Sequence, residues 1–210
     1  VAIRSQTSST TVNNLAGGTI NGAVTLSELN DSVDNDGTIT GTLNLGAGAD
    51  LYDGRNGSIS GTINGDAGND TMQGGAGAET MVGGIGAEIL EGNAGTDTLT
   101  GGADNDSFRG APAGLNGDTI ADFAAGDRII ISDASLAGFS FSLSGNILTY
   151  TGGTLTLTGF TGQLVASAAA GGGVQLTVGA APVNDAHQDF NGDGRSDILW
   201  RHDSGPITDW

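Results

Sequence analysis

The chain has 210 residues, 39 of them Gly, with 37% hydrophobic and 5% aromatic residues, no Cys and a formal net charge of −18. So small an aromatic supply excludes a thick globular core, and the missing Cys excludes disulfide staples, thiolate zinc sites and a Cys nucleophile. The 24 acids against six Arg make nucleic acid and anionic membranes poor partners, and no apolar run reaches the roughly 20 residues of a membrane span.

Glycine in this excess points to a fold built from turns, because Gly takes positive φ without steric cost. The chain opens at Val1 without a charged-then-apolar leader. We therefore expect a piece of a longer, processed protein whose export signal lies outside these residues. Residues 1–14 are polar and are expected to be loose or capping. Next, Gly18-Thr19-Ile20-Asn21-Gly22, Gly37-Thr38-Ile39-Thr40-Gly41 and Gly61-Thr62-Ile63-Asn64-Gly65 recur, followed by alternations such as Ala23-Val24-Thr25-Leu26 and Thr42-Leu43-Asn44-Leu45. Thr and Ile on a period of two argue strands, and recurrence at about one solenoid coil argues stacking. Residues 1–64 thus read as N-terminal β-solenoid coils of degenerate repeats, the alternative being an unrelated β-rich region. Within them Leu45 to Asp53 places Asp50 and Tyr52 where an acid and a core residue recur further on, two residues out of register.

Residues 65–109 keep a nine-residue period: GDAGNDTMQ, GGAGAETMV, GGIGAEILE, GNAGTDTLT, GGADNDSFR. Position one is Gly65, Gly74, Gly83, Gly92 and Gly101. Position two is Gly, Asn or Asp, the residues that tolerate left-handed backbone. Position four is Gly68, Gly77, Gly86 and Gly95, then departs at Asp104. Position six is always a carboxylate: Asp70, Glu79, Glu88, Asp97 and Asp106. Position eight is always large and apolar: Met72, Met81, Leu90, Leu99 and Phe108. The period predicts a six-residue turn, then a three-residue strand with its middle side chain inward. One unit cannot bury that residue alone, whereas stacked units can. Stacking also sets the position-six carboxylates in columns beside turn carbonyls, where their repulsion favours a hard dication with six to eight oxygen ligands, Ca²⁺ better than Mg²⁺.

These units resemble the RTX nonapeptide, GGxGxDxUx. The resemblance implies an all-β, right-handed parallel β-roll with two nonapeptides per coil and several Ca²⁺ ions between turns of successive coils. Asp70, Glu88 and Asp106 would line one side and Glu79 and Asp97 the other. Glu at 79 and 88 departs from the family's Asp by one methylene, and Asp104 departs from its turn Gly, which puts the ions at those turns in doubt.

Residues 110–180 are expected to form a β-rich cap. Asp118-Thr119-Ile120-Ala121-Asp122-Phe123 and Gly126 to Ser132 resemble the segment that closes RTX rolls. Asp118 and Asp122 either complete the last calcium site or cap a turn. Strands are predicted over 139–143, 147–150, 154–157, 164–166 and 174–178, separated by turns such as Ser144-Gly145-Asn146 and Gly152-Gly153, as a hairpin meander that protects the solenoid end. Residues 181–210 follow a linker, Ala180-Ala181-Pro182. In this tail Asp189, Asn191, Asp193 and Asp197 fall at positions 1, 3, 5 and 9 of an EF-hand-like calcium loop, with Arg195 at position 7 and Gly194 at position 6; Trp200 stands in place of the twelfth-position Glu. The tail resembles one partial FG-GAP/VCBS repeat.

Catalysis has little support. His187 and His202 are lone histidines in the tail, no HExxH helix or Gly-x-Ser-x-Gly elbow occurs, and the carboxylate spacing belongs to the turns. Tyr150, read as a surface aromatic, is the one hint of sugar binding. The resemblance implies a calcium-stabilised module of a type I-secreted, extracellular protein. The alternative is a self-assembling surface-layer, filament or matrix subunit whose partners are copies of itself or other cell-surface components.

Overall fold

Alternating Thr and Ile, Val or Leu forms short strands whose branched apolar residue points inward, and these strands stack in parallel. The computed structural model describes residues 3–5 and 7–179, which are all β. Residues up to Gly179 form one compact unit.

The first three coils are three-sided. They comprise β1 (Ile3–Arg4), β2 (Thr11–Asn14) and β3 (Thr19–Ile20), then β4 (Val24–Thr25), β5 (Ser32–Asn35) and β6 (Thr38–Ile39), then β7 (Leu43–Ala47), β8 (Leu51–Asp53) and β9 (Ser58–Ile59). The register puts Val24 over Leu43, Val33 over Tyr52 and Ile39 over Ile59. After β9 the third side disappears. One face continues as β10 (Thr62–Ala67), β12 (Thr80–Ile85), β14 (Thr98–Ala103) and β16 (Thr119–Ile120), and the opposite face as β11 (Thr71–Gln73), β13 (Ile89–Glu91), β15 (Ser107–Gly110) and β17 (Arg128–Ile131). This two-sided stretch is the parallel β-roll.

Core supply explains the change of shape. The second coil buries Val24, Leu26, Val33 and Ile39, and the third buries Leu43, Leu45, Tyr52 and Ile59. A nonapeptide coil buries only its two position-eight residues, for instance Met81 and Leu90. With burial of a large aliphatic side chain contributing about 1.5–3 kcal/mol, the narrower coils lack several kcal/mol of apolar stabilisation that the wider coils have.

Three expectations need correction. The Gly61 to Gly65 motif does not stack on its two look-alikes. Thr19 and Thr38 continue instead to Ser58, while Ile63 sits over Leu43 on another face. The cause is coil length: the step from Tyr52 to Met72 is 20 residues, against 18 from Met72 to Leu90. Strand length also differs between faces. β11 and β13 have the expected three residues, but β10, β12 and β14 have six, because pairing continues from Asn64↔Val82 through Asp66↔Gly84 to Ala67↔Ile85. Third, Tyr150 is buried, and its hydroxyl donates to the Pro112 carbonyl at 2.8 Å.

The cap follows the expected meander. β18 (Phe141–Ser144), β19 (Ile147–Tyr150) and β20 (Gly153–Leu157) are antiparallel to one another, and β20 joins β16 in parallel. The hairpin of β21 (Leu164–Ala168) and β22 (Val174–Val178) closes the other sheet antiparallel to β17. Phe123 seals the junction, with its ring centroid 6.3 Å from Phe108 and 5.4 Å from Phe160. Among the described residues no helix is long and apolar enough to cross a membrane.

Candidate metal centres

Position six lies at the corner where each strand begins, so stacking the coils stacks the acids. One column runs Asp31, Asp50, Asp70, Glu88, Asp106, Asp127; the other runs Glu79, Asp97, Asp118. All nine are buried. Within a column one carboxylate oxygen accepts the backbone N–H of the acid one coil earlier. Asp31 N–H donates to Asp50 Oδ1 at 2.6 Å, Asp50 to Asp70 at 2.8 Å, Glu88 to Asp106 at 2.9 Å and Asp106 to Asp127 at 3.0 Å. In the second column Glu79 donates to Asp97 at 2.7 Å and Asp97 to Asp118 at 2.8 Å. These bonds fix Asp50, Asp70, Asp97, Asp106, Asp118 and Asp127 in their corners, a local consequence of the parallel register; Glu79 accepts the Gly75 N–H at 3.0 Å instead, and the ladder skips Glu88.

Six carboxylate oxygens of the columns are left without partners. Asp50 Oδ2, Asp70 Oδ2, both Glu88 oxygens, Asp97 Oδ2 and Asp118 Oδ2 are buried and accept no hydrogen bond. Buried polar atoms are normally satisfied, and buried charges are normally paired or bound to metal. Among the described residues the ion pairs join Arg55 to Asp53 at 2.6 Å and Arg109 to Glu91 at 3.9 Å, away from both columns.

The glycines shape the space around those oxygens. A Cβ on Gly65 would lie 2.6 Å from the Gly83 carbonyl oxygen. One on Gly74 would lie 2.6 Å from that of Gly92 and 2.8 Å from Glu79 Oε2, and one on Gly83 2.8 Å from Glu88 Oε2. On Gly92 and Gly101 it would meet Asp97 Oδ2 and Asp106 Oδ2. First-position Gly is therefore required by space, not by backbone conformation. At positions two and four conformation does matter at most turns. Asp66, Gly84, Asn93 and Gly102 take positive φ, as do Gly68, Gly86 and Gly95. Gly75 and Gly77 do not; at Gly75 a Cβ would press within 2.9 Å of the Gly54 and Gly57 carbonyl oxygens. Asp104 takes φ +81° itself, so the last turn keeps a left-handed residue despite losing Gly.

Desolvation is the main cause that pushes these acids up. Asp50 and Asp70 rise to about 6 and Asp118 to about 7. Glu79, Asp97 and Asp106 rise for the same reason, as does Glu88, where the neighbouring Asp106 carboxylate adds repulsion. Among the described residues no three acidic or histidine side chains converge on one point. An ion at these corners would accordingly draw on two acids plus turn carbonyls. Unpartnered carboxylate oxygens lined with glycine carbonyls suit a hard cation of high oxygen coordination, which is calcium chemistry.

The sequence-derived residues divide clearly. Asp50, Asp70, Glu79, Glu88, Asp97, Asp106 and Asp118 come together in the columns, with Asp70, Glu88 and Asp106 on one side and Glu79 and Asp97 on the other, as the resemblance implies. Asp122 lies apart and accepts N–H bonds from Gly101 at 3.0 Å and Gly102 at 2.8 Å, the geometry of a turn cap. Asp189, Asn191, Asp193, Arg195 and Asp197 lie outside the described residues. Asp31 and Asp127 were missed by the sequence reading. Both were findable by stepping one coil outward from the flanking acid, 19 residues before Asp50 and 21 after Asp106.

Comparison with known families places the RTX calcium-binding nonapeptide repeat at residues 60–87 and 82–112, as four copies. No curated protein matches the chain.

Proposed function

With residues 60–112 built of RTX calcium-binding nonapeptide repeats, this chain is a calcium-binding β-roll module, and we propose that it serves a larger exported protein as an extracellular, calcium-triggered folding unit. The observation that carries this reading is the set of buried carboxylate oxygens with neither a hydrogen-bond donor nor a basic side chain beside them. Asp50, Asp70, Glu88 and Asp106 would hold ions along one corner and Glu79, Asp97 and Asp118 along the other, with glycine carbonyls as further ligands. Bound calcium supplies the positive charge that ligates these oxygens and cancels their repulsion.

The chain's own residues do the rest. The amide-to-carboxylate ladder orients the aspartates, the position-one Gly keeps its corner open, and the position-eight side chains exclude water from the strip between the sheets. Where calcium is scarce the columns repel and the roll stays open, a form suited to passage through a type I export channel. Outside the cell, ions at about 10⁻⁴–10⁻³ M, the affinity range of extracellular calcium modules, would close it. The role is structural rather than catalytic, since the acids are turned inward and buried away from any substrate.

Circular dichroism during a calcium titration from EDTA tests this. The β-signal should rise, with a midpoint in that calcium range, and equilibrium dialysis should find several ions per chain. Identical spectra in EDTA and in calcium would overturn the reading.

A further inference from the structure

The two halves of the solenoid solve the same packing problem with different chemistry. Every orphaned carboxylate oxygen among the described residues belongs to Asp50 or to an acid after it. Asp31, the acid before it, is fully satisfied: Oδ1 accepts the Thr10 N–H, and Oδ2 accepts both the N–H and the hydroxyl of Ser27 at 2.8 Å. The corresponding corner of the first coil carries Thr10, so the column ends on a neutral residue. Another corner of these early coils is held by a neutral amide ladder. Asn14 Nδ2 donates to Asn35 Oδ1 at 2.6 Å, and Asn35 Nδ2 donates to the Ser58 carbonyl at 3.2 Å. Both asparagines are buried. The second and third coils also bury four apolar side chains each rather than two, and the first adds Val12.

We propose that residues 3–47 fold without calcium and form a preformed end onto which the nonapeptide coils are added when calcium arrives. Satisfied polar groups and a wider apolar core leave these coils with no charge that needs a counter-ion. The strand edge of β7 then offers β10 a ready template beside the first acidic corner. A solenoid permits this division because each coil contacts only its neighbours, so part of the stack can be folded while the rest is open. The proposal rests on the calcium reading for the second half of the chain but can fail independently of it.

Amide hydrogen exchange read by mass spectrometry on the whole chain, in EDTA and in saturating calcium, tests it. In EDTA, peptides within 24–45 should exchange at least roughly tenfold more slowly than peptides within 62–109, and calcium should slow the latter to match. Rapid exchange of both segments in EDTA would overturn the preformed end and leave the calcium reading intact. Slow exchange of both in EDTA would overturn the two together. A second arm uses Asn35→Asp, which puts a charge into the neutral ladder with almost no change in shape. It should lose protection at 24–45 in EDTA and slow the calcium-triggered gain of protection at 62–109 by roughly tenfold. Unchanged protection at 24–45 would overturn the role given to the neutral ladder, and an unchanged rate at 62–109 would overturn the template.

Discussion

At the scale of single residues, the corners depend on the absence of a Cβ as much as on the presence of a carboxylate. Gly83 has no unusual φ, yet a methyl there would meet the Gly101 carbonyl, Glu88 Cγ at 2.7 Å and Glu88 Oε2 at 2.8 Å. Gly83→Ala should therefore destabilise the calcium-loaded protein by about 1–3 kcal/mol, the usual range for overpacking, and raise the calcium midpoint. Thermal melts in saturating calcium check this. Ala87→Ser, at an exposed turn position of the same unit, is the control that should leave the melt unchanged. The acids were readable residue by residue because the period fixed their positions. Asp31 and Asp127 were not, because their coils are longer than 18 residues and carry no repeated glycines in step.

At the scale of elements, one strand contributes one buried side chain to its face of the roll. Met72, Leu90 and Phe108 form a continuous file through successive strands of one face. Leu90→Ala leaves a void that the flanking backbone cannot close, since both neighbours are fixed by parallel pairing. The expected loss is about 2–5 kcal/mol, measurable by denaturant unfolding in calcium. Exchange should quicken first in β11, β13 and β15, and the cap hairpin of β21 and β22 should be spared, as nearest-neighbour coupling requires. The strands of the cap were legible within about two residues because their alternation is regular and Gly-rich turns separate them. The six-residue strands of the roll were not. Their second halves read as turn in sequence, and only pairing with the next coil extends them through Asp66, Gly84 and Gly102.

At the scale of the whole molecule, the columns tie stability to pH. In the calcium-free fold Asp50 and Asp70 sit at about 6 and Asp118 at about 7, above the value near 4 of an unfolded Asp. A carboxylate whose folded pKa is raised contributes stability that is fully present below its unfolded pKa and is lost as pH rises through its folded pKa. In EDTA, lowering the pH from 8 to 5 should thus favour the folded roll, with the change spread between about pH 4 and 7. In calcium the order reverses, because protons compete with the ion for the same oxygens. Calorimetric scans across that pH range, with and without EDTA, check both signs.

Composition and period by themselves determined that this chain is an all-β solenoid with acidic corners. A nine-residue recurrence of Gly, carboxylate and a large apolar residue has few ways to bury the last while keeping the first two at turns. Local spacing could not set where the three-sided coils give way to two-sided ones, which look-alike motif stacks on which, or which acids are left unsatisfied. Those depend on how many residues each coil takes to come round, and so on which backbone amide arrives opposite which carboxylate. That is decided only when the coils lie on one another.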